Sequence, residues 1–221
     1  MYAAVLLDVF GTLVEDDDTW AVEAASLVAD LAGVEADAVT REWSDRIWAM
    51  ADTAHGAGFQ RLADLNVSSL TDTATHFGVR VDADQLRRRQ PAFWLRPQLF
   101  ADSRAFLAAV DVPVCLVSDA DRHSLEVLLA HHRIAVDEVV TSEDARAYKP
   151  RPEPFQLALR RLGLAPADVI HVGDSPLSDI TGANDLGIDT AFLNRDGRRL
   201  PDGLTATYTV DTLTALLPIH G

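Results

Sequence analysis

The chain has 221 residues, 48% of them hydrophobic, with 34 acidic against 19 basic side chains and a formal net charge of −15. That length allows one large domain, or a core carrying one inserted subdomain, and the composition has no signature of disorder. So acidic a surface repels nucleic-acid phosphates and anionic lipid, and no apolar run approaches the roughly 20 residues of a membrane span; nucleic-acid and membrane partners are not expected.

The first predicted element is the apolar run Ala3-Ala4-Val5-Leu6-Leu7, read as a buried strand over Val5–Asp8. Asp8 stands at its C-terminal tip, with Gly11 and Thr12 close behind. A core has no use for an unpaired charge, whereas the crevice at the carboxyl ends of a parallel sheet is where such folds bind ligands. Asp8 is therefore expected to be presented there, as a nucleophile or a metal ligand. An apolar stretch that ends in a carboxylate and has no basic leader does not read as a secretory signal.

The stretch from Glu15 to Trp94 is mostly helical in pattern, with amphipathic segments at Trp20–Leu31, Ala38–Ala54 and Ala57–Asn66. A parallel crossover needs only a dozen or so residues. Residues 15–94 are thus expected to form an inserted α-helical subdomain, and residues 1–14 with 95–221 the α/β core. Glu15-Asp16-Asp17-Asp18 should cap the first of these helices and favour its dipole. Arg41 and the run Arg87-Arg88-Arg89 read as solvated faces. Trp20, Trp43, Trp48 and Trp94 read as packing, with one of them free to line a pocket.

Further strands are expected over Val112–Val117, Glu138–Thr141, Val169–Val172 and Thr190–Leu193, with a weaker one near Thr207–Val210. Helical patterns at Ser103–Val110, Ser124–His131, Glu153–Leu162 and after Ser175 alternate with them. The alternation predicts a Rossmann-like parallel sheet covered by helices. Its strand ends carry polar residues: Ser118 and Asp119, Ser142, then Gly173 and Asp174. The Ser118 hydroxyl could hold an oxyanion or simply cap a helix. The single cysteine, Cys115, lies in an apolar run and reads as a core thiol, consistent with a reducing cytoplasm. His131-His132 lacks the spaced partners of a zinc site.

Lys149 is the only lysine, the other 18 cationic side chains being arginine. A compact ammonium retained at one position suggests a task that a planar guanidinium does not perform. Asp174 and Asp179, if brought beside Asp8, would raise one another's pKa unless a cation lay between them. An oxygen-rich site with few carboxylates suits Mg²⁺.

Four stretches in this order, Leu6-Leu7-Asp8-Val9-Phe10-Gly11-Thr12-Leu13, Val117-Ser118-Asp119, Tyr148-Lys149-Pro150-Arg151-Pro152-Glu153-Pro154-Phe155 and Val172-Gly173-Asp174-Ser175-Pro176-Leu177-Ser178-Asp179, resemble the motifs of the haloacid dehalogenase superfamily of hydrolases. The resemblance implies a helical cap inserted after the first motif. It implies Asp8 as nucleophile, Lys149 as the cation neutralising it, and Thr12, Ser118, Asp119 and Lys149 around a bound phosphoryl group. Mg²⁺ would lie on Asp8, the Phe10 carbonyl and Asp174, with Asp179 behind them.

Two positions depart from that pattern. Most of the family's phosphatases carry a second Asp, the general acid/base, where this chain has Phe10, and Asp119 stands where Asn is usual. An aromatic at Phe10 is similar to the haloacid dehalogenases, which use no metal. Those enzymes, however, resemble Ser-Ser-Asn in the last motif and carry Tyr where Phe155 stands. The implied function is a Mg²⁺-dependent phosphatase acting on a small, anionic, phosphorylated metabolite through an aspartyl phosphate. A metal-independent 2-haloacid dehalogenase and a metabolite-binding relative of low turnover are the alternatives. Carbon–phosphorus cleavage through a cap lysine is excluded, because Lys149 belongs to the core. Substrate identity and oligomeric state are not legible.

Overall fold

In the computed structural model the described residues are 1–16, 19–89 and 94–219. Strand β1 (Ala4–Leu7) is followed, among the described residues, by helices α1 (Thr19–Ala32), α2 (Ala36–Thr53), α3 (Leu62–His76) and α4 (Ala83–Arg89). After them come α5 (Ser103–Ala109), β2 (Val114–Ser118), α6 (Arg122–His132), β3 (Glu138–Thr141), the short α7 (Ser142–Ala145) and α8 (Pro152–Leu162). The chain continues through β4 (Val169–Gly173), a π-helical turn over Pro176–Thr181, β5 (Asp189–Leu193) and β6 (Tyr208–Val210).

The six strands are parallel, in the order β3-β2-β1-β4-β5-β6. Leu7 lies level with Leu116 of β2 and Val172 of β4, so the three strand ends finish together. The chain leaves β1 toward one edge and β4 toward the other, which opens a crevice between their carboxyl ends. Asp8 and Asp174 stand at the two lips of that crevice.

Both faces of the sheet are covered, which explains why its strands are continuous apolar runs rather than alternating ones. Val5 and Leu7 pack with Phe106, Leu125, Leu128 and Leu213 on one face. Ala4 and Leu6 pack with Cys115, Phe155, Ala158 and Ile188 on the other. The result is the expected α/β sandwich of Rossmann type, and Cys115 is a fully buried thiol within it. No described helix is long and apolar enough to cross a membrane.

The helices between β1 and β2 have their own apolar cluster, built on Trp20, Val28, Val39, Trp43, Leu70 and Leu86. Trp20 sits edge-on between Trp43 and Trp94, with ring centroids 5.5 Å from each. The expected helix over Ala57–Asn66 is a difference worth a reason. Gly56–Gly58 form only a 3₁₀ turn, and α3 starts at Leu62 and runs on to His76. Two glycines weaken helix in the first part. The Ser- and Thr-rich second part is poor in propensity, and Ser68, Thr71 and Thr75 return their hydroxyls to carbonyls four residues back; it is held by packing, with Leu65, Leu70 and Ala74 fully buried.

The start of α3 is fastened to the core. Asp121, in the loop after β2, accepts hydrogen bonds from the Leu62 and Ala63 N–H groups at 2.8 and 3.0 Å. A carboxylate there satisfies two of the unpaired N-terminal donors and complements the helix dipole. Nearby the Tyr148 hydroxyl donates to the Gln60 carbonyl, Arg146 donates to that of Gly56, and Phe59 stacks on Tyr148. Asp17 and Asp18 of the acidic run lie outside the described residues.

Candidate active site

The turn after β1 presents Asp8. Its N–H donates to the Val172 carbonyl at 2.9 Å, which ties the tip of β1 to β4, and the chain then folds back through Gly11 at φ +79°. Only glycine suits that place on two counts. The positive φ is one; the other is that a Cβ there would lie 2.6 Å from Oδ1 of Asp174. At the end of β4 the same logic recurs, because a Cβ on Gly173 would lie 2.2 Å from the Asp179 carboxyl carbon. Two side-chain-free positions therefore let the carboxylates of the first and last motifs close on one another.

Asp8, Asp174 and Asp179 offer carboxylate oxygens that all lie within 4.8 Å of one another. Lys149 Nζ is 2.6 Å from Oδ1 of Asp8 and 2.6 Å from Oδ1 of Asp179. All three of these side chains are almost completely buried. Asp179 is further held by His171 Nε2 at 2.9 Å and by the Ser175 N–H at 3.0 Å. The π-helical turn after Pro176 is what brings it back to the strand end, a local widening of the kind that recurs at functional sites.

The charges are unequal: three carboxylates face one buried ammonium. Burial alone would raise Asp179, yet Lys149 and His171 hold it below the usual carboxylate range. Burial would lower Lys149, and its carboxylate neighbours Asp179 and Asp8 hold it above its ordinary value. For Asp8 burial wins, and its pKa is raised in spite of Lys149. Asp174 is pushed up to about 6, first by burial and then by the charges of Asp8 and Asp179. Arg198, which donates to both its carboxylate and its carbonyl at 3.1 Å, only partly opposes this.

That imbalance makes Lys149 a stability residue as well. Lys149→Met is expected to lower the unfolding free energy by about 3–5 kcal/mol at neutral pH, the usual cost of stripping one partner from buried opposite charges. Part of the loss should return on adding Mg²⁺, or on lowering the pH so that the carboxylates take up protons. Urea denaturation with and without the ion checks this. An unchanged midpoint would mean that the ammonium does not balance the cluster.

The other residues singled out by sequence fall into two groups. Ser118, Asp119 and Phe10 line the same cavity as Asp8, Lys149, Asp174 and Asp179. Ser118 Oγ accepts the Ala120 N–H at 3.2 Å, and Asp119 Oδ1 accepts the Lys149 N–H at 2.8 Å, so Asp119 links the loops that carry Ser118 and Lys149. Its carboxyl is pushed up to about 7 by burial, against the pull of Lys149. Thr12 is not brought to the cavity. Its side chain is fully buried, its hydroxyl has no hydrogen-bond partner among the described residues, its N–H donates to the Val9 carbonyl at 3.3 Å, and its carbonyl accepts from Arg195 at 2.9 Å. Arg41 is exposed on α2 and away from the cavity, as a solvated helix residue should be.

Sequence reasoning missed His171 and Arg198. A lone histidine inside an apolar strand reads as core, and its role emerges only when the turn folds Asp179 onto it. Arg198 comes from the loop after β5, whose return to Asp174 no local pattern signals. Residues between β1 and β2 complete the lining: Trp20, Ile47, Trp48, Leu62 and Trp94 stand among the walls of a cavity of about 460 Å³.

Three oxygen-only ligand groups at this spacing suit a hard divalent cation. Asp8, Asp174 and Asp179 are the side chains able to hold it.

Comparison with known proteins bears on the same site. The family profile of haloacid dehalogenase-like hydrolases matches residues 2–187. A curated (S)-2-haloacid dehalogenase of Pseudomonas fluorescens is 23% identical over 198 residues, covering 86% of this chain and 83% of its own. The pyrophosphatase PpaX of Bacillus cereus is 38% identical over 85 residues, but these cover only 38% of this chain and 39% of that protein. A crystal structure of L-2-haloacid dehalogenase from Xanthobacter autotrophicus, with chloropropionic acid covalently bound, superposes with a TM-score of 0.77 at 19% identity. That superposition covers 99% of this chain and 98% of the other.

Proposed function

This chain belongs to the haloacid dehalogenase-like hydrolase family, and from that premise we propose that it is a Mg²⁺-dependent phosphatase of a small phosphorylated metabolite in the cytoplasm. The observation that carries the reading is the carboxylate set Asp8, Asp174 and Asp179 facing a single buried ammonium. An enzyme that needs only a nucleophilic Asp and a balancing Lys gains nothing from Asp174. Burial, with the nearby charges of Asp8 and Asp179, lifts the pKa of Asp174 to about 6 even with Arg198 beside it. The ion, held by Asp8, the Phe10 carbonyl and Asp174 with Asp179 behind, would supply positive charge against which a phosphoryl group can bind.

The residues then divide the work. Asp8 attacks phosphorus: a bond forms from its carboxylate oxygen, and the ester bond to the leaving oxygen breaks. Lys149 holds the carboxylate in line and balances charge on the transferring group. Ser118, at the end of β2, would hold a phosphoryl oxygen through its hydroxyl hydrogen, its Oγ accepting the Ala120 N–H. Water then attacks phosphorus of the aspartyl phosphate, releasing phosphate and restoring Asp8. Residues 15–94 act as the cap over this centre, with residues 1–14 and 95–221 as the hydrolase core.

Calorimetric titration tests the metal. Wild type should bind Mg²⁺, and Asp174→Ala should not; equal binding by the two would remove the basis of the proposal. The pH dependence has a definite sign. An acid whose pKa rises on folding, here from 3.8 to about 6, holds its proton more tightly when folded. Its contribution to stability is full below the unfolded value and is lost as pH rises through about 6. Mg²⁺ competes with that proton, so affinity should rise as pH passes upward through the same value.

A second reading, metal-independent 2-haloacid dehalogenation, is favoured by Phe10 and by the Pseudomonas fluorescens relative. Against it stands Asp174, together with the absence of a cap arginine for a substrate carboxylate among the described cavity residues.

A further inference from the structure

We propose that the leaving group this site accepts is an uncharged aromatic alcohol, seated between Trp48, Trp20 and Trp94 of the cap and Phe10 of the core. The chemistry rests on the phosphatase reading; the seat itself does not.

The cap's share of the cavity lining is mostly apolar. The cap contributes Trp20, Ile47, Trp48, Leu62 and Trp94, and its polar side chains among the described lining are Asp16 and Asn66. Asn66 already donates its amide to the Leu62 carbonyl at 3.0 Å. No lysine or arginine of the cap lines the cavity among the described residues. The two cations that do, Lys149 and Arg198, belong to the core and are bound to Asp8, Asp179 and Asp174. An anionic leaving group would therefore meet Asp16, Asp119 and Asp121 with nothing to pair it, and burying such a charge unpaired is costly.

Trp48 supports the same conclusion from another side. It is 51% exposed although it lines the cavity, whereas Trp20 and Trp43 are buried in the cap's own cluster at 2% and 5%. A large aromatic that lines a cavity and is still half in water has surface to offer a ligand. The enclosed volume of about 460 Å³ is within the range of small-molecule sites.

The reaction points the same way. Phe10, two residues beyond the nucleophile, has no proton to give. When Asp8 forms its bond to phosphorus, the electron pair of the breaking ester bond must leave on oxygen unprotonated. An aryl oxygen carries that pair with ease and takes its proton from water afterwards, whereas an alkyl oxygen does not. An aromatic seat and an aprotic neighbour thus select one class of substrate, aryl phosphate monoesters.

The test separates the seat from the chemistry. In the first arm 1-naphthol, which has no phosphate, is titrated into the full-length protein and followed by calorimetry and tryptophan fluorescence. It should bind, Trp48→Ala should weaken binding by about tenfold or more, and Trp48→Phe should restore most of it. Glycerol and choline should not bind. Absence of naphthol binding, tighter binding of choline, or indifference to Trp48→Ala would each overturn the proposal. In the second arm turnover of 1-naphthyl phosphate is compared with that of 3-carboxyphenyl phosphate, whose leaving group is similar in acidity but anionic. The naphthyl ester should be preferred, and Trp48→Ala should erase the preference through KM. Naphthol binding with no ester turned over would sink the phosphatase reading and leave the seat standing.

Discussion

Asp8→Asn is expected to abolish turnover entirely and to leave the fold intact or slightly more stable. The amide cannot attack phosphorus or carbon, so no covalent intermediate forms by either chemistry. Its oxygen can still accept from Lys149 Nζ, which sits 2.6 Å from the present carboxylate. The substitution also removes one of three crowded negative charges, and burial already makes that charge costly, as the raised pKa of Asp8 records. The thermal midpoint should therefore not fall, which sets this variant apart from one that loses activity by unfolding. On the wild type, a single turnover in ¹⁸O-water reports where water attacks. Label in the released phosphate means attack on phosphorus, as proposed; label in Asp8 means attack on an acyl carbon, the dehalogenase route. Turnover by Asp8→Asn at the wild-type level would falsify its role as the nucleophile in both.

What could be read without coordinates, and what could not, follows from the range of each interaction. Asp8, Ser118 and Asp174 were legible because each closes an apolar strand, where a polar group is out of place unless the sheet edge uses it. The parallel sheet was legible for the same reason, since doubly covered strands are continuous apolar runs. Thr12, close to the nucleophile in sequence, is fully buried and outside the cavity lining, a placement that no local pattern signals. The start of α3 was misplaced because it is set by Asp121, about 60 residues away, and not by any local cap. His171 and Arg198 carry no local signal at all. Their relation to Asp179 and Asp174 exists only once the π-helical turn and the loop after β5 have closed.

Phe10→Asp is the change expected to gain activity. The wild-type side chain lines the cavity beside Asp8 and packs partly against the core cluster, so a smaller acid fits the same space with little rearrangement. A carboxyl placed there would sit near Asp8 and Asp174, whose negative charges raise its pKa and keep it protonated near neutral pH. It would then hand its proton to an alkyl oxygen as the ester bond breaks. Turnover of an alkyl ester such as glycerol phosphate should rise by up to ~10²-fold, the lower end of what general acid catalysis contributes. Turnover of 1-naphthyl phosphate should change little or decline, because its aryloxide needs no acid and loses part of an aromatic wall. Chloride release from 2-chloropropionate should not improve, since halide departs without a proton. The measurement is one panel of these three substrates on wild type and variant, with and without Mg²⁺. A matched rise for all three would show a general opening of the cavity instead of a restored acid. Metal-independent chloride release by the wild type would move the protein to the dehalogenase reading. In that case Asp174, and not Phe10, would be the residue whose presence needs a new explanation.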